Sequence, residues 1–98
     1  MTNKEIIAVV QAAEEGKVID HKLKCWPGPF SEIKAGFKTA EFRKDDRGFL
    51  AGDKCLLQEW SPNSGNYTGR EILIQVTCKT TGFGIPEGYA MLSFRRLT

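Results

Sequence analysis

Three charged side chains that could bind a polar or anionic ligand lie close together in the sequence: Lys38, Glu41 and Arg43. An arginine can form a forked pair with a phosphate, and a carboxylate can accept a hydrogen bond from the amino group of a nucleobase. A lysine can act as a general base where burial lowers its pKa. These residue types predict a site for RNA or a nucleotide. Lys38 and Glu41 are the catalytic candidates if the protein is an enzyme.

A strand over residues 39–44 is expected to position these side chains. Because side chains alternate along a strand, Ala40 and Phe42 would point into the core, and Glu41 and Arg43 would share the polar face. We expect that face to line a cleft beside a short helix. The alternative is a ladder of surface ion pairs that binds nothing.

Aromatic residues outside this segment could extend a nucleic-acid surface, because a base stacked on an aromatic ring contributes about 1–3 kcal/mol. Trp26 is the first candidate and Tyr67 the second. Phe42, Trp60 and Phe94 are expected in the core instead. The remaining binding candidates are basic: Lys22, Lys24, Arg47 and Arg70.

The composition is that of one globular domain. The chain has 98 residues, of which 41% are hydrophobic and 27% charged, and this excludes a disordered, collagen-like or coiled-coil protein. The net charge is only +2, but residues 17–44 hold seven basic and three acidic side chains. No apolar run reaches the roughly 20 residues of a membrane span, and the first residues lack an apolar signal core. We therefore expect a cytoplasmic protein with no membrane partner.

The sequence favours neither a metal site nor a bound cofactor. A zinc site with four ligands would need the one histidine, His21, and all three cysteines: Cys25, Cys55 and Cys78. We expect these thiols to be buried or half-buried in a reducing compartment, and His21 to face solvent from a strand. The glycines of residues 82–88 lack the Gly-Lys-Ser/Thr ending of a phosphate-binding loop.

The hydrophobic pattern predicts an α+β domain whose strands form a small barrel or a strongly curled sheet. Thr2 and Glu5 match the pattern of a capping box, which predicts a helix over residues 3–15, and its apolar face would pack on the barrel or on a partner chain. Residues 1–17 would therefore be an amphipathic extension, and residues 18–98 the main domain. The other predicted elements are a helix at 29–35 and strands at 18–25, 39–44, 54–60, 70–80 and 89–97.

The motif Gly36-x-Lys38-x-x-Glu41-x-Arg43 resembles the G-x-K-x-x-E-x-R signature of the ASCH domain, which is related to the PUA RNA-binding fold. Gly52-Asp53, ahead of the strand at 54–60, resembles the strand entry of the same family. The resemblance covers about residues 20–98 and is greatest to an ASCH-like subfamily of phages and bacteria. It implies a PUA-like β-barrel of five to six strands with short flanking helices, to which the helix at 3–15 is an addition.

The resemblance also implies a function. ASCH-like domains are generally proposed to bind RNA, some small members are amidohydrolases that deacetylate N4-acetylcytidine, and others are reported as ribonucleases. In the amidohydrolases the signature lysine, here Lys38, is catalytic, a threonine stands in place of Glu41, and a glutamate comes from a later segment. The leading hypothesis is a module that binds RNA or a modified nucleotide. The alternatives are a small hydrolase of the two kinds named, and a phage accessory protein that binds a host protein.

Overall fold

The computed structural model describes residues 19–98, and the chain in this range is mostly β-sheet. Its elements are β1 (His21–Cys25), α1 (Pro27–Lys34), β2 (Ala40–Lys44), β3 (Lys54–Ser61), β4 (Asn66–Thr80) and β5 (Tyr89–Arg96). All five strands predicted in this part of the chain are present. The fourth is longer than expected, because it begins at residue 66 rather than 70. The predicted helix at 3–15 and the boundary between residues 17 and 18 lie outside the described residues.

The five strands form a single sheet that curls into a half-barrel, in the order β1-β3-β4-β5-β2. β1 runs parallel to β3, and the other neighbouring strands are antiparallel. The prediction of a small β-rich domain with a barrel-like sheet is confirmed for residues 19–98. The barrel is not closed by backbone pairing, since β1 and β2 are the two edges of the sheet.

The hydrophobic core fills the concave face of the sheet beneath α1. Alternate residues of each strand point into it, as the period of two in β3 and β4 requires. The core consists of Leu23, Cys25, Phe30, Ile33, Phe49, Cys55, Leu57, Ile72, Ile74, Val76, Ala90, Leu92 and Phe94.

Helix α1 begins two residues earlier than predicted because Pro27 occupies its first turn, where a missing N–H costs nothing. Phe30 and Ile33, three residues apart on one face, are both fully buried against the sheet. The helix has eight residues, and no helix among residues 19–98 has the length and apolar character needed to cross a bilayer.

The expectation that His21 faces solvent is wrong. Its side chain is only 13% exposed, and its Nε2 lies 2.8 Å from Oδ2 of Asp53. The ring also packs on Phe49, with 4.6 Å between the ring centroids. His21 therefore joins β1 to the segment that precedes β3, at the end of the half-barrel opposite α1.

Candidate functional site

The register of β2 against β5 decides which side chains of β2 face inward. Glu41 lies opposite Leu92, and Arg43 lies opposite Ala90. Leu92 and Ala90 are both core residues, and cross-strand partners share a face of the sheet. The side chains of Glu41 and Arg43 therefore lie on the concave face, where they are 18% and 23% exposed.

The prediction that Phe42 is buried is wrong, since this residue is 59% exposed on the convex face. Ala40, on the same face, is only half-buried. The alternation itself is as expected, but the polar residues of β2 take the inner positions and the apolar residues the outer ones. Pairing with β5 imposes this, because the inner residues of β5 are anchored in the core.

Arg43 and Arg47 bridge the open side of the half-barrel. The guanidinium of Arg43 donates from Nε to Oε2 of Glu41 and from Nη2 to the backbone oxygen of Lys24, both over 2.8 Å. Arg47 donates from Nη1 to the backbone oxygen of Lys22 over 3.3 Å. Two arginine side chains thus link β2 and the segment that follows it to β1 in place of a backbone ladder, so Arg43 has a structural role that its predicted ligand role did not include.

Gly36 and Lys38 of the signature are positioned by the end of α1. Gly36 has a φ of 85°, and its N–H donates to the oxygen of Ile33. The N–H groups of Phe37 and Lys38 both donate to the oxygen of Glu32. This is a Schellman ending, which favours glycine at the left-handed position. It turns the chain back at once, so that half-buried Lys38 lies two residues before β2, the strand that carries the inward-facing Glu41.

Glu59 is the site residue that the sequence analysis missed. It is the one charged residue among the buried residues of the described chain, at 4% exposure, and it pairs in register with Cys25. The hydroxyl of Thr68 donates to its Oε1 over 2.8 Å, and Nη1 of Arg70 lies 3.6 Å from the same oxygen. The alternation of side chains along β3 could have identified Glu59, because it follows Cys55 and Leu57 at a spacing of two residues and therefore points inward as they do.

A β-bulge in β4 surrounds this carboxylate. The pairing shifts between Gln58 and Trp60, so that Glu59 alone faces the three residues 68–70. Gly69, at the centre of the bulge, has a φ of 92°. Bulges redirect side chains, and this one directs Thr68 and Arg70 on either side of it toward Glu59.

Gly69→Ala is expected to lower the free energy of unfolding by about 1–2 kcal/mol, because an L side chain is strained at this φ. A Cβ at this position would meet no atom within 4 Å, so backbone strain is the only cost. Denaturant unfolding measures the effect. Gly28→Ala is the matched control, since Gly28 has no positive φ and a Cβ there would also meet no atom within 4 Å. Equal stability of the two variants would contradict the argument from backbone strain.

Charged groups from β2, β3 and the α1–β2 connection act on the buried thiol of Cys25. Burial raises the pKa of Cys25 to about 11; Glu41 and Glu59 add to this effect, while Arg43 and Lys38 oppose it. A cysteine with so high a pKa is a poor nucleophile at neutral pH. Together with the contacts given above, these effects place charged and polar side chains at one end of the concave face, which we call the polar end: Lys38, Glu41, Arg43, Glu59, Thr68 and Arg70.

The three cysteines are expected to differ sharply in reactivity, because Cys25 and Cys55 are buried and Cys78 is exposed. Burial also raises the pKa of Cys55 to about 11, so only about 0.1% of either buried thiol is ionised at pH 8. Iodoacetamide at pH 8 should modify one thiol in the native protein and three in denaturant, as counted by mass spectrometry. Modification of Cys25 at the rate of Cys78 would contradict the structure. The expectation that all three thiols are at least half-buried is wrong for Cys78.

Not all of the predicted binding residues reach the polar end. Arg70 does, and its guanidinium carbon also lies 4.9 Å from the centre of the Phe30 ring. Lys24 instead lies over Trp60, with 4.2 Å between Nζ and the ring centre, and Trp60 is half-buried rather than in the core. The remaining predicted binding residues are exposed on the outside of the molecule: Lys22, Trp26, Arg47 and Tyr67.

The chemistry of the polar end is that of hydrogen bonding and charge. In residues 19–98 no three His, Cys, Asp or Glu side chains are grouped as a metal ion would need. The carboxylates of Glu41 and Glu59 can accept hydrogen bonds, and Lys38, Arg43 and Arg70 can donate them. This arrangement suits a small polar group that has both donors and acceptors.

Comparisons with known proteins link this chain to a phage protein. Escherichia phage P2 encodes a protein described as an uncharacterized 12.9 kDa protein in the GpA 3' region, and it is 36% identical over 72 residues. The alignment covers 74% of this chain and 64% of the phage protein. A family described as a domain of unknown function, DUF3850, matches residues 20–94, which include the helix, the first four strands and all but the last two residues of β5. The chain therefore belongs to the DUF3850 family.

Proposed function

We propose that this domain binds RNA or a modified nucleotide, with one base held at the polar end of the half-barrel. The observation that carries the proposal is the burial of Glu59, which is 4% exposed on the concave face. A buried carboxylate costs several kcal/mol unless it is paired, and an apolar residue could fill the same place. Thr68 and Arg70 partly offset this cost, and a ligand that donates a hydrogen bond to Glu59 would offset more of it.

The neighbouring groups favour a nucleobase as that ligand. A carboxylate accepts from an exocyclic amino group such as that of cytosine. Lys38 and Arg70 can donate to a carbonyl or to a phosphate oxygen. The ASCH resemblance of the motif from Gly36 to Arg43 supports the same ligand class, as does the excess of basic residues in 17–44.

Glu59→Gln tests this proposal, because the amide has the same shape but lacks the charge and one acceptor. We expect it to weaken the binding of a cytidine or adenosine nucleotide at least tenfold, as measured by NMR titration. Glu71→Gln is the matched control, since Glu71 is exposed and hydrogen-bonds only Gln58 among the described residues. Loss of binding in both variants, or no shift of residues 36–47 with any nucleotide, would overturn the proposal.

A salt series then separates a charged ligand from a neutral one. Contacts to phosphate release counterions, so the affinity for RNA should fall steeply with salt, whereas the affinity for an uncharged nucleoside should hardly change. Lys38→Ala should weaken the binding of both by about 1–3 kcal/mol, the usual range for charge-assisted contacts.

A second candidate is a small hydrolase of a nucleoside amide, and one observation favours it. Glu59 lies opposite Cys25 in the register, just ahead of α1, and Lys38 follows the end of that helix, so the chain offers a second carboxylate and a lysine next to the two ends of α1. The amidohydrolases that the signature resembles use a lysine and a glutamate. Incubation with N4-acetylcytidine, followed by absorbance, tests this candidate. Release of cytidine that stops in Lys38→Ala would support it, and no release would exclude this substrate.

A further inference from the structure

We propose that the convex side of the sheet carries a second surface, on which a single-stranded nucleic acid stacks its bases. The surface consists of Trp26, Trp60, Tyr67 and Lys24, and we call it the aromatic surface. The inference rests on the proposed function only in taking the ligand to be a nucleic acid. It adds that the ligand is a strand of several nucleotides rather than a free nucleotide.

Three strand ends bring these aromatic rings together. Trp26 follows β1 directly, and its ring centre lies 6.3 Å from that of Trp60 on β3. Tyr67 on β4 is the cross-strand partner of Trp60, so both rings project from the same face of the hairpin. The order across the surface is therefore Trp26, Trp60, Tyr67.

The exposure of the rings shows which of them could take a base. Trp26 and Tyr67 are 56% and 55% exposed, which is unusual for side chains of this size so close together. Trp60 is half-buried, and the ammonium of Lys24 covers its face at 4.2 Å. Two open rings thus flank a ring that already holds a cation.

This arrangement matches the repeating parts of a single strand. Bases can stack on Trp26 and Tyr67, because every base has a π-face and such stacking tolerates any sequence. Lys24, held over the ring of Trp60, is placed for the phosphate that links their nucleotides, and exposed Lys22 extends the positive charge along β1. On this face of the sheet, the acidic residue nearest in the register is Glu71, which accepts a hydrogen bond from Gln58. An acidic polypeptide would satisfy the lysines but would leave the rings unused.

The test is a titration of the full chain with a cytidine mononucleotide, a cytidine hexanucleotide and an abasic strand of the same length. We expect the hexanucleotide to bind tightest and to quench tryptophan fluorescence. Trp26→Ala and Tyr67→Ala should each weaken hexanucleotide binding by about 5- to 150-fold, while mononucleotide binding stays the same. Lys24→Ala should make the plot of log affinity against log salt shallower by about 0.7.

The control is Phe83→Ala, because Phe83 is 97% exposed on the β4–β5 loop and should have no effect. Equal binding of the abasic strand or of polyglutamate would overturn the inference, and so would a hexanucleotide that binds no tighter than the mononucleotide. Hexanucleotide binding that depends on Trp26 and Tyr67 but not on Glu59 would support the aromatic surface even if the polar end binds nothing. If only Glu59→Gln weakens hexanucleotide binding, the result would support the proposed function and contradict the aromatic surface.

Discussion

Phe30→Ala is expected to be the most damaging single truncation in the described chain, with a loss of about 3–5 kcal/mol in the free energy of unfolding. Phe30 is fully buried, and it joins α1 to the sheet. Its removal leaves a cavity under the helix and also takes away the ring beneath the guanidinium of Arg70. For a domain of this size, each kcal/mol lowers Tm by roughly 4–8 °C.

Phe37→Ala provides the comparison, because it removes the same side chain three residues after α1 ends. Phe37 is 87% exposed, so its loss should change the unfolding free energy by no more than about 0.5 kcal/mol. Urea denaturation of both variants measures the difference. Equal stability of the two would mean that α1 does not pack on the sheet as described.

Arg43→Ala is expected to lower the free energy of unfolding by about 2–3 kcal/mol. The change removes two charge-assisted hydrogen bonds and leaves Glu41, only 18% exposed, without this partner. It also releases the side chain that links β2 itself to β1, and leaves only the link from Arg47 in the segment after β2. Hydrogen exchange should therefore become faster in β1 and β2, while β4 in the centre of the sheet should change less.

Two control variants, Arg43→Lys and Lys44→Ala, test whether the loss of stability comes from the hydrogen bonds of Arg43 or from the loss of a positive charge on β2. A lysine keeps the charge but cannot direct two fixed donors at Glu41 and at the oxygen of Lys24, so it should recover little of the lost stability. Lys44 is exposed on the same strand, and its loss should be close to neutral. If lysine restores full stability, the net charge of β2 is sufficient and the bridge to β1 is not needed.

The outcome for Arg43 also bears on its proposed contact with a ligand. A residue that contacts phosphate contributes to the salt dependence of RNA binding, whereas a residue that only holds two strands together does not. Arg43→Ala should therefore weaken RNA binding with little change in the salt dependence. The two hydrogen bonds given above leave other N–H groups of Arg43 for a ligand, and a shallower salt dependence would show that they are used.

Local patterns were enough to predict most of the secondary structure of residues 19–98. Strand β4 illustrates this, since its alternation from Ile72 to Val76 places the same residues in the core as the structure does. The extension of β4 back to residue 66 was missed because residues 66–71 are polar or glycine, and they pair only when β3 lies beside them. A strand without an apolar face has no sequence signal of its own.

The five strands, the short helix and the grouping of Lys38, Glu41 and Arg43 near one turn could all be predicted from the amino-acid sequence, because they follow from periodicity and from neighbours in the chain. The tertiary structure alone decided which face of β2 points inward, that Phe42 is exposed, that Arg43 bridges to β1, and that Glu59 joins Thr68 and Arg70 around a bulge. Each of these depends on strand register or on contacts between residues far apart in the chain. Register is set by the anchoring of neighbouring strands in the common core, and no local window of sequence contains that information.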